Sequence, residues 1–135
     1  MSQQHMVTVW GAGSWGTALA MVLAKHGRQV HLITRNQSTA DKLNDDAENK
    51  RYLNGLPFPK SLQAIGQAHP DLPHILQQSF ATVLALPCAV AETALIRLKD
   101  YPHPVIAANK GINPDTLERV DELLIRFVGI ERTLL

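Results

Sequence analysis

Short runs of β-branched and apolar residues alternate along the chain with longer segments whose apolar positions recur at helical spacing. That alternation predicts βαβ units and a parallel sheet. MVTVW at 6–10 reads as a first strand and QVHLIT at 29–34 as a second. Between them, TALAMVLAKH at 17–26 reads as a helix, stopped by Gly27 where a glycine just past a helix end belongs. A second helix is predicted over 37–46, with Ala40, Leu43 and Ala47 at helical spacing. The periodicity then breaks. Over 48–60 two prolines, a glycine and two aromatics predict an ordered loop.

Further on, 62–65 reads as a short strand, 71–78 as a short helix, and 80–86 as a buried strand ended by Pro87. Residues 89–98 read as helix, 105–108 as strand, and about 116–127 as helix closed by Gly129. The final ERTLL reads as the approach to a strand that the chain does not complete, so Leu135 is taken as a cut or a domain edge. The expected fold is α/β, a Rossmann-type, doubly wound, mostly parallel sheet with helices on both faces.

Composition narrows the class. With 135 residues the chain is one domain, and 45% apolar against 19% charged residues allows a sizeable core. Thirteen Lys and Arg against twelve Asp and Glu leave +1, with no basic run, which argues against a nucleic-acid partner. The longest apolar stretch, Phe80 to Ala91, is interrupted by Thr82 and Pro87 and is too short to span a bilayer. MSQQHMVTVW has neither a basic start nor an apolar leader core, and the single Cys88 fits a reducing compartment, so a cytoplasmic location is expected. The six histidines are scattered without ligand spacing, and no metal site is proposed.

The sharpest signal is Gly11, Gly13 and Gly16, a G-x-G-x-x-G between a predicted strand and a predicted helix. In that context the first glycine permits a tight turn, the second lets backbone approach a pyrophosphate, and the third lets helix and strand pack closely. The helix start adds free N–H groups and the positive dipole end. Ser14 could donate to a phosphate or cap the helix; Trp15 could line the cofactor groove or be buried. An NAD site usually carries Asp or Glu about 20 residues further on. Here Thr34-Arg35-Asn36 ends the second strand, and no carboxylate follows until Asp41. A guanidinium at this place favours a 2′-phosphate, hence NADP over NAD, although Arg also stacks on adenine and serves both.

Taken together, GAGSWGTALA, ENKRYLNGLPFP, ALPCAV and ANKGI resemble NAD(P)-dependent glycerol-3-phosphate dehydrogenase of the bacterial type. The resemblance runs through essentially the whole chain and covers only that family's N-terminal cofactor domain. It implies an enzyme interconverting sn-glycerol 3-phosphate and dihydroxyacetone phosphate for glycerophospholipid synthesis. It places Ser14 and Trp15 beside the pyrophosphate, Arg35 and Asn36 at the adenosine ribose and its phosphate, and Tyr52 over the cofactor. Pro87 and Cys88 fall beside the nicotinamide half, with Cys88 standing where the family often carries Ser. Lys110 would touch both nicotinamide and substrate.

Elementary chemistry agrees with that role for Lys110, since hydride reaching a ketone carbon builds negative charge on oxygen and a nearby cation lowers the barrier. Without the resemblance, Lys110 reads as a surface lysine in a Lys-Gly turn. The resemblance puts the proton-transferring lysine and the substrate-phosphate contacts in a second domain. These 135 residues alone are therefore expected to bind dinucleotide but turn over slowly or not at all. Two alternatives stay open, a related hydroxy-acid or ketopantoate-like reductase and a non-catalytic dinucleotide sensor. The oligomeric state is not fixed by the sequence, and a homodimer is left open.

Overall fold

The computed structural model describes residues 5–109 and 111–135. Strand β1 (Met6–Trp10) passes through the glycine turn into α1 (Ser14–Lys25), and β2 (Gln29–Thr34) returns parallel to β1. Helix α2 (Gln37–Asp46) follows, then an antiparallel hairpin of β3 (Glu48–Asn49) and β4 (Leu53–Pro57). The chain rejoins the main sheet as β5 (Leu62–Gly66), followed by α3 (Leu72–Gln78) and β6 (Ser79–Leu84). Helix α4 (Cys88–Leu98), β7 (Val105–Ala107), α5 (Val120–Val128) and β8 (Thr133–Leu134) complete it.

Every pairing in the main sheet is parallel, and its order is β5-β2-β1-β6-β7-β8. The strand order reverses between β1 and β6, which makes the sheet doubly wound and puts a topological switch point at their carboxyl ends. Alternating residues serve the two faces. Val7, Val9, Val30 and Leu32 pack with α1 and α2, while Trp10, Ile33, Leu84 and Val105 pack with α4 and α5. Burying each such side chain stabilises by about 1.5–3 kcal/mol, so both faces of the sheet need a helical cover.

The outer edge of β5 is closed by side chains. Asn44 of α2 donates its amide to the Ala64 carbonyl at 2.9 Å and accepts the Ala64 N–H at 2.8 Å, imitating a neighbouring strand. Gln37 accepts the Gly66 N–H at 2.9 Å. An edge blocked in this way cannot template another chain.

Four segments depart from the periodic reading. The expected loop at 48–60 contains the β3–β4 hairpin, held where Glu48 accepts the Gly55 N–H at 2.8 Å and Phe58 N–H reaches the Ala47 carbonyl at 2.6 Å. The last long helix starts at Val120 rather than near Thr116. Asn113 accepts the N–H groups of Asp115 and Thr116, Leu117 takes φ 62°, and an Ile112–Arg119 bridge closes the segment into a loop. The ERTLL segment does form a strand, since Thr133 and Leu134 pair with Val105 and Ile106. Helix α1 also begins three residues early, because Gly13 in extended conformation serves as its N-cap.

Candidate functional site: a cleft at the switch point

The three glycines of the turn stand in different surroundings. Gly11 has φ 120°, and a Cβ there would stand 2.5 Å from the Ala85 carbonyl oxygen; its N–H reaches the Ile33 carbonyl at 3.1 Å. A Cβ on Gly16 would overlap the Gly11 carbonyl oxygen, so only glycine lets α1 start this close to β1. Gly13 differs from both. Its φ is −76°, and an added Cβ would meet nothing within 4 Å. Neither strain nor packing explains glycine there, but an open approach to backbone does.

That open space belongs to a cleft of about 310 Å³ between the turn and the end of β6, with Leu86, Pro87 and Asn109 opposite Gly13 and Ser14. Two helices, α1 and α4, point their N-termini at it. Neither has an acidic residue in its first turn, whereas α5 carries Asp121 and Glu122 there. Among the described residues no side chain caps α1 or α4, so their orphan N–H groups and positive dipole ends face the cleft uncompensated. Open backbone, free donors and positive field fit a diphosphate.

The remaining predicted residues are distributed around this cleft. Ser14 is the first residue of α1, exposed, and does not cap it. Trp15 is 58% exposed, and its indole N–H donates to the Ala108 carbonyl at 2.7 Å, bridging α1 to the exit of β7. Pro87 lines the cleft, while Cys88 is buried at the start of α4. Burial pushes the Cys88 thiol up, with the Glu118 carboxylate adding to it.

Arg35 and Asn36 lie off this cleft, exposed past the end of β2. The Asn36 Oδ1 caps α2, accepting the Thr39 N–H at 2.9 Å and the hydroxyls of Ser38 and Thr39 at 2.8 Å. Only its amide nitrogen remains for a ligand. Tyr52 sits exposed in the hairpin, with the Arg51 guanidinium 5.0 Å from its ring centre. Lys110 lies outside the described residues.

Two residues at the site escaped the sequence reading. Asn109 lines the cleft and donates its amide to the Leu86 carbonyl, tying β7 to β6. Asn49, from the hairpin, donates to the Ala12 carbonyl at 3.1 Å and to Thr17 Oγ1 at 2.9 Å, and accepts the Tyr52 N–H at 3.2 Å. Both lie inside segments that carry the resemblance, ENKRYLNGLPFP and ANKGI, which assigned neither of them a role. Among the described residues no cluster of His, Cys, Asp or Glu could hold a metal, and no helix is long and apolar enough to cross a membrane.

Fold and cleft together define a Rossmann-type dinucleotide-binding domain. Residues 6–135 match the family described as "NAD-dependent glycerol-3-phosphate dehydrogenase N-terminus". The chain belongs to that family, as its N-terminal NAD-binding domain. It is 34% identical over 129 residues to the glycerol-3-phosphate dehydrogenase [NAD(P)+] of Bacillus pumilus, covering 93% of this chain and 36% of that protein. It matches the crystal structure of glycerol-3-phosphate dehydrogenase from Coxiella burnetii with TM-score 0.80 and 29% identity, over 93% of this chain and 38% of that one. Shikimate dehydrogenase of Mycobacterium tuberculosis, at 20% identity and TM-score 0.64 over 98% of this chain and 46% of that one, shares the fold alone. The chain thus spans about a third of the length of the curated relatives it matches.

Proposed function

We propose that the whole protein interconverts sn-glycerol 3-phosphate and dihydroxyacetone phosphate by hydride transfer, and that these 135 residues form the cofactor domain of a two-domain enzyme. The observation that carries this reading is the open space at Gly13 between two uncompensated helix N-termini, in a chain of this family. A cytoplasmic role in glycerophospholipid synthesis belongs to the same proposal.

The nicotinamide, when bound, would supply the hydride for ketone reduction and accept it in alcohol oxidation. Backbone amides over 13–16 hold the diphosphate, with Ser14 and Trp15 beside it. Arg35 pairs with a 2′-phosphate in a charge-assisted contact, which favours NADP over NAD, and the free amide of Asn36 meets the ribose. Tyr52 covers the cofactor from the hairpin. Pro87 and Cys88 flank the nicotinamide, Cys88 offering at most a weak donor where the resemblance often implies Ser. The Lys110 ammonium stabilises charge on the substrate oxygen. The second domain holds the substrate phosphate and moves the proton.

Titration of the protein with NADPH and NADH, beside Arg35→Ala, tests this reading. The wild type binds NADPH more tightly, and the variant loses roughly tenfold or more for NADPH with little change for NADH. Equal losses for both would overturn the 2′-phosphate assignment, and a wild type that binds neither coenzyme would overturn the function.

A further inference from the structure

We infer that Asn49 is a positioning residue of the cleft: by holding the Ala12 carbonyl it turns the Gly13 N–H toward the diphosphate. The inference rests on the proposed function and gives a role to a residue that lies outside the glycine motif.

Asn49 lies in β3, outside the glycine turn, and is 3% exposed. Both hydrogens of its amide nitrogen are committed, one to Ala12 and one to Thr17, and its oxygen takes the Tyr52 N–H. An amide satisfied on three sides inside the protein has one orientation, because any rotation leaves a buried polar group unpaired. The peptide joining Ala12 to Gly13 is trans, so its C=O and N–H point in opposite directions. With the carbonyl held on the Asn49 side, the Gly13 N–H is directed the other way, toward the cleft that Ala12 and Gly13 line.

The turn needs such a hold. Gly13 has no Cβ, and nothing packs within 4 Å of where one would be. The openness that admits a diphosphate also leaves the peptide before it free to rotate, and glycine rotates at little steric cost. Asn49 supplies the missing restraint from a hairpin 37 positions along the chain. The same side chain accepts the Tyr52 N–H, so it ties the turn to the hairpin that carries the cofactor's proposed cover.

Asn49→Asp is the discriminating variant. It keeps an acceptor for the Tyr52 N–H but sets a carboxylate oxygen against the Ala12 carbonyl. NADPH affinity is measured by titration, and the Gly13 amide is followed by NMR. In the wild type, saturation with NADPH shifts the Gly13 amide proton downfield, as a charge-assisted bond requires. Asn49→Asp binds NADPH roughly tenfold more weakly or worse and loses that shift. A residue that merely anchored the hairpin would lower the melting temperature and leave the Gly13 shift at saturation intact. A variant that binds within about twofold of wild type, or keeps the shift, overturns the inference. Should the variant not fold, the wild-type experiment decides alone: a Gly13 amide unmoved by bound NADPH overturns the inference. A wild type that binds no NADPH overturns instead the proposed function.

Discussion

A Cβ on Gly16 would overlap the carbonyl oxygen of Gly11, although five positions separate the two residues. The turn therefore closes on itself through backbone, and α1 can begin against β1 only with glycine at 16. Gly16→Ala should destabilise the fold by about 1–3 kcal/mol or more, as overpacking against rigid backbone does. Gly13→Ala should cost at most about 1 kcal/mol, the loss of a tolerated N-cap residue, yet abolish most dinucleotide binding. Urea unfolding and NADPH titration of the two variants check this. Equal stability losses would contradict the separate jobs.

Asn44 pairs with both backbone groups of Ala64 at the outer edge of β5. Asn44→Leu leaves a half-buried N–H and C=O without partners, and the expected cost is about 1–3 kcal/mol. The variant should also self-associate more, because the sheet edge is reopened. Urea midpoints and light scattering as a function of concentration measure the two effects, and an unchanged midpoint would contradict the edge assignment.

Two buried histidines make stability depend on pH. Within the sheet His31 pairs with Thr8 and Thr8 with Thr82, while the Thr82 hydroxyl lies 2.8 Å from His103 Nε2. Burial holds both imidazoles below their ordinary value of 6.5, and Arg132 adds to the effect at His103. As pH falls through about 6.5 the unfolded chain takes up protons that the folded one still refuses, so the fold loses stability on acidification. Above about pH 7 both states are neutral at these positions and the contribution is flat. The urea midpoint should fall between about pH 7 and pH 5.5, with a shallower fall in His31→Phe, which cannot charge. A midpoint that rises on acidification would contradict the assignment.

Cys88 is 5% exposed, and burial raises its thiol above the ordinary value. Reaction requires thiolate and access, and Cys88 has neither in the folded protein. Alkylation by iodoacetamide should be slow in native protein and fast in denaturant, and mass spectrometry reads both. Rapid native labelling would show an open α4 N-terminus.

Local signals in the chain were legible wherever an element is long enough to show its period. Strand β2 and helix α2 have the limits that alternation and helical spacing predict, and the glycine motif falls on the strand-to-helix turn it requires. Strands of two residues, β3 and β8, have no period to read; β8 is defined only by its distant pairing with β7, and β3 only by the hairpin it closes with β4. Helix α5 was expected too early because 116–119 carries helix-forming residues, and the Asn113 turn that captures the segment is a side-chain event.

By itself, then, the sequence determined the βαβ order, the parallel sheet and the glycine turn, which rest on short-range spacing, and the family, which rests on the resemblance of four segments along the chain. Only the tertiary structure decided which polar groups meet at the cleft. Trp15 reaches Ala108 across 93 positions and Asn49 reaches Ala12 across 37. Such bonds carry no periodic trace, because their geometry exists only after the sheet has brought its carboxyl ends together.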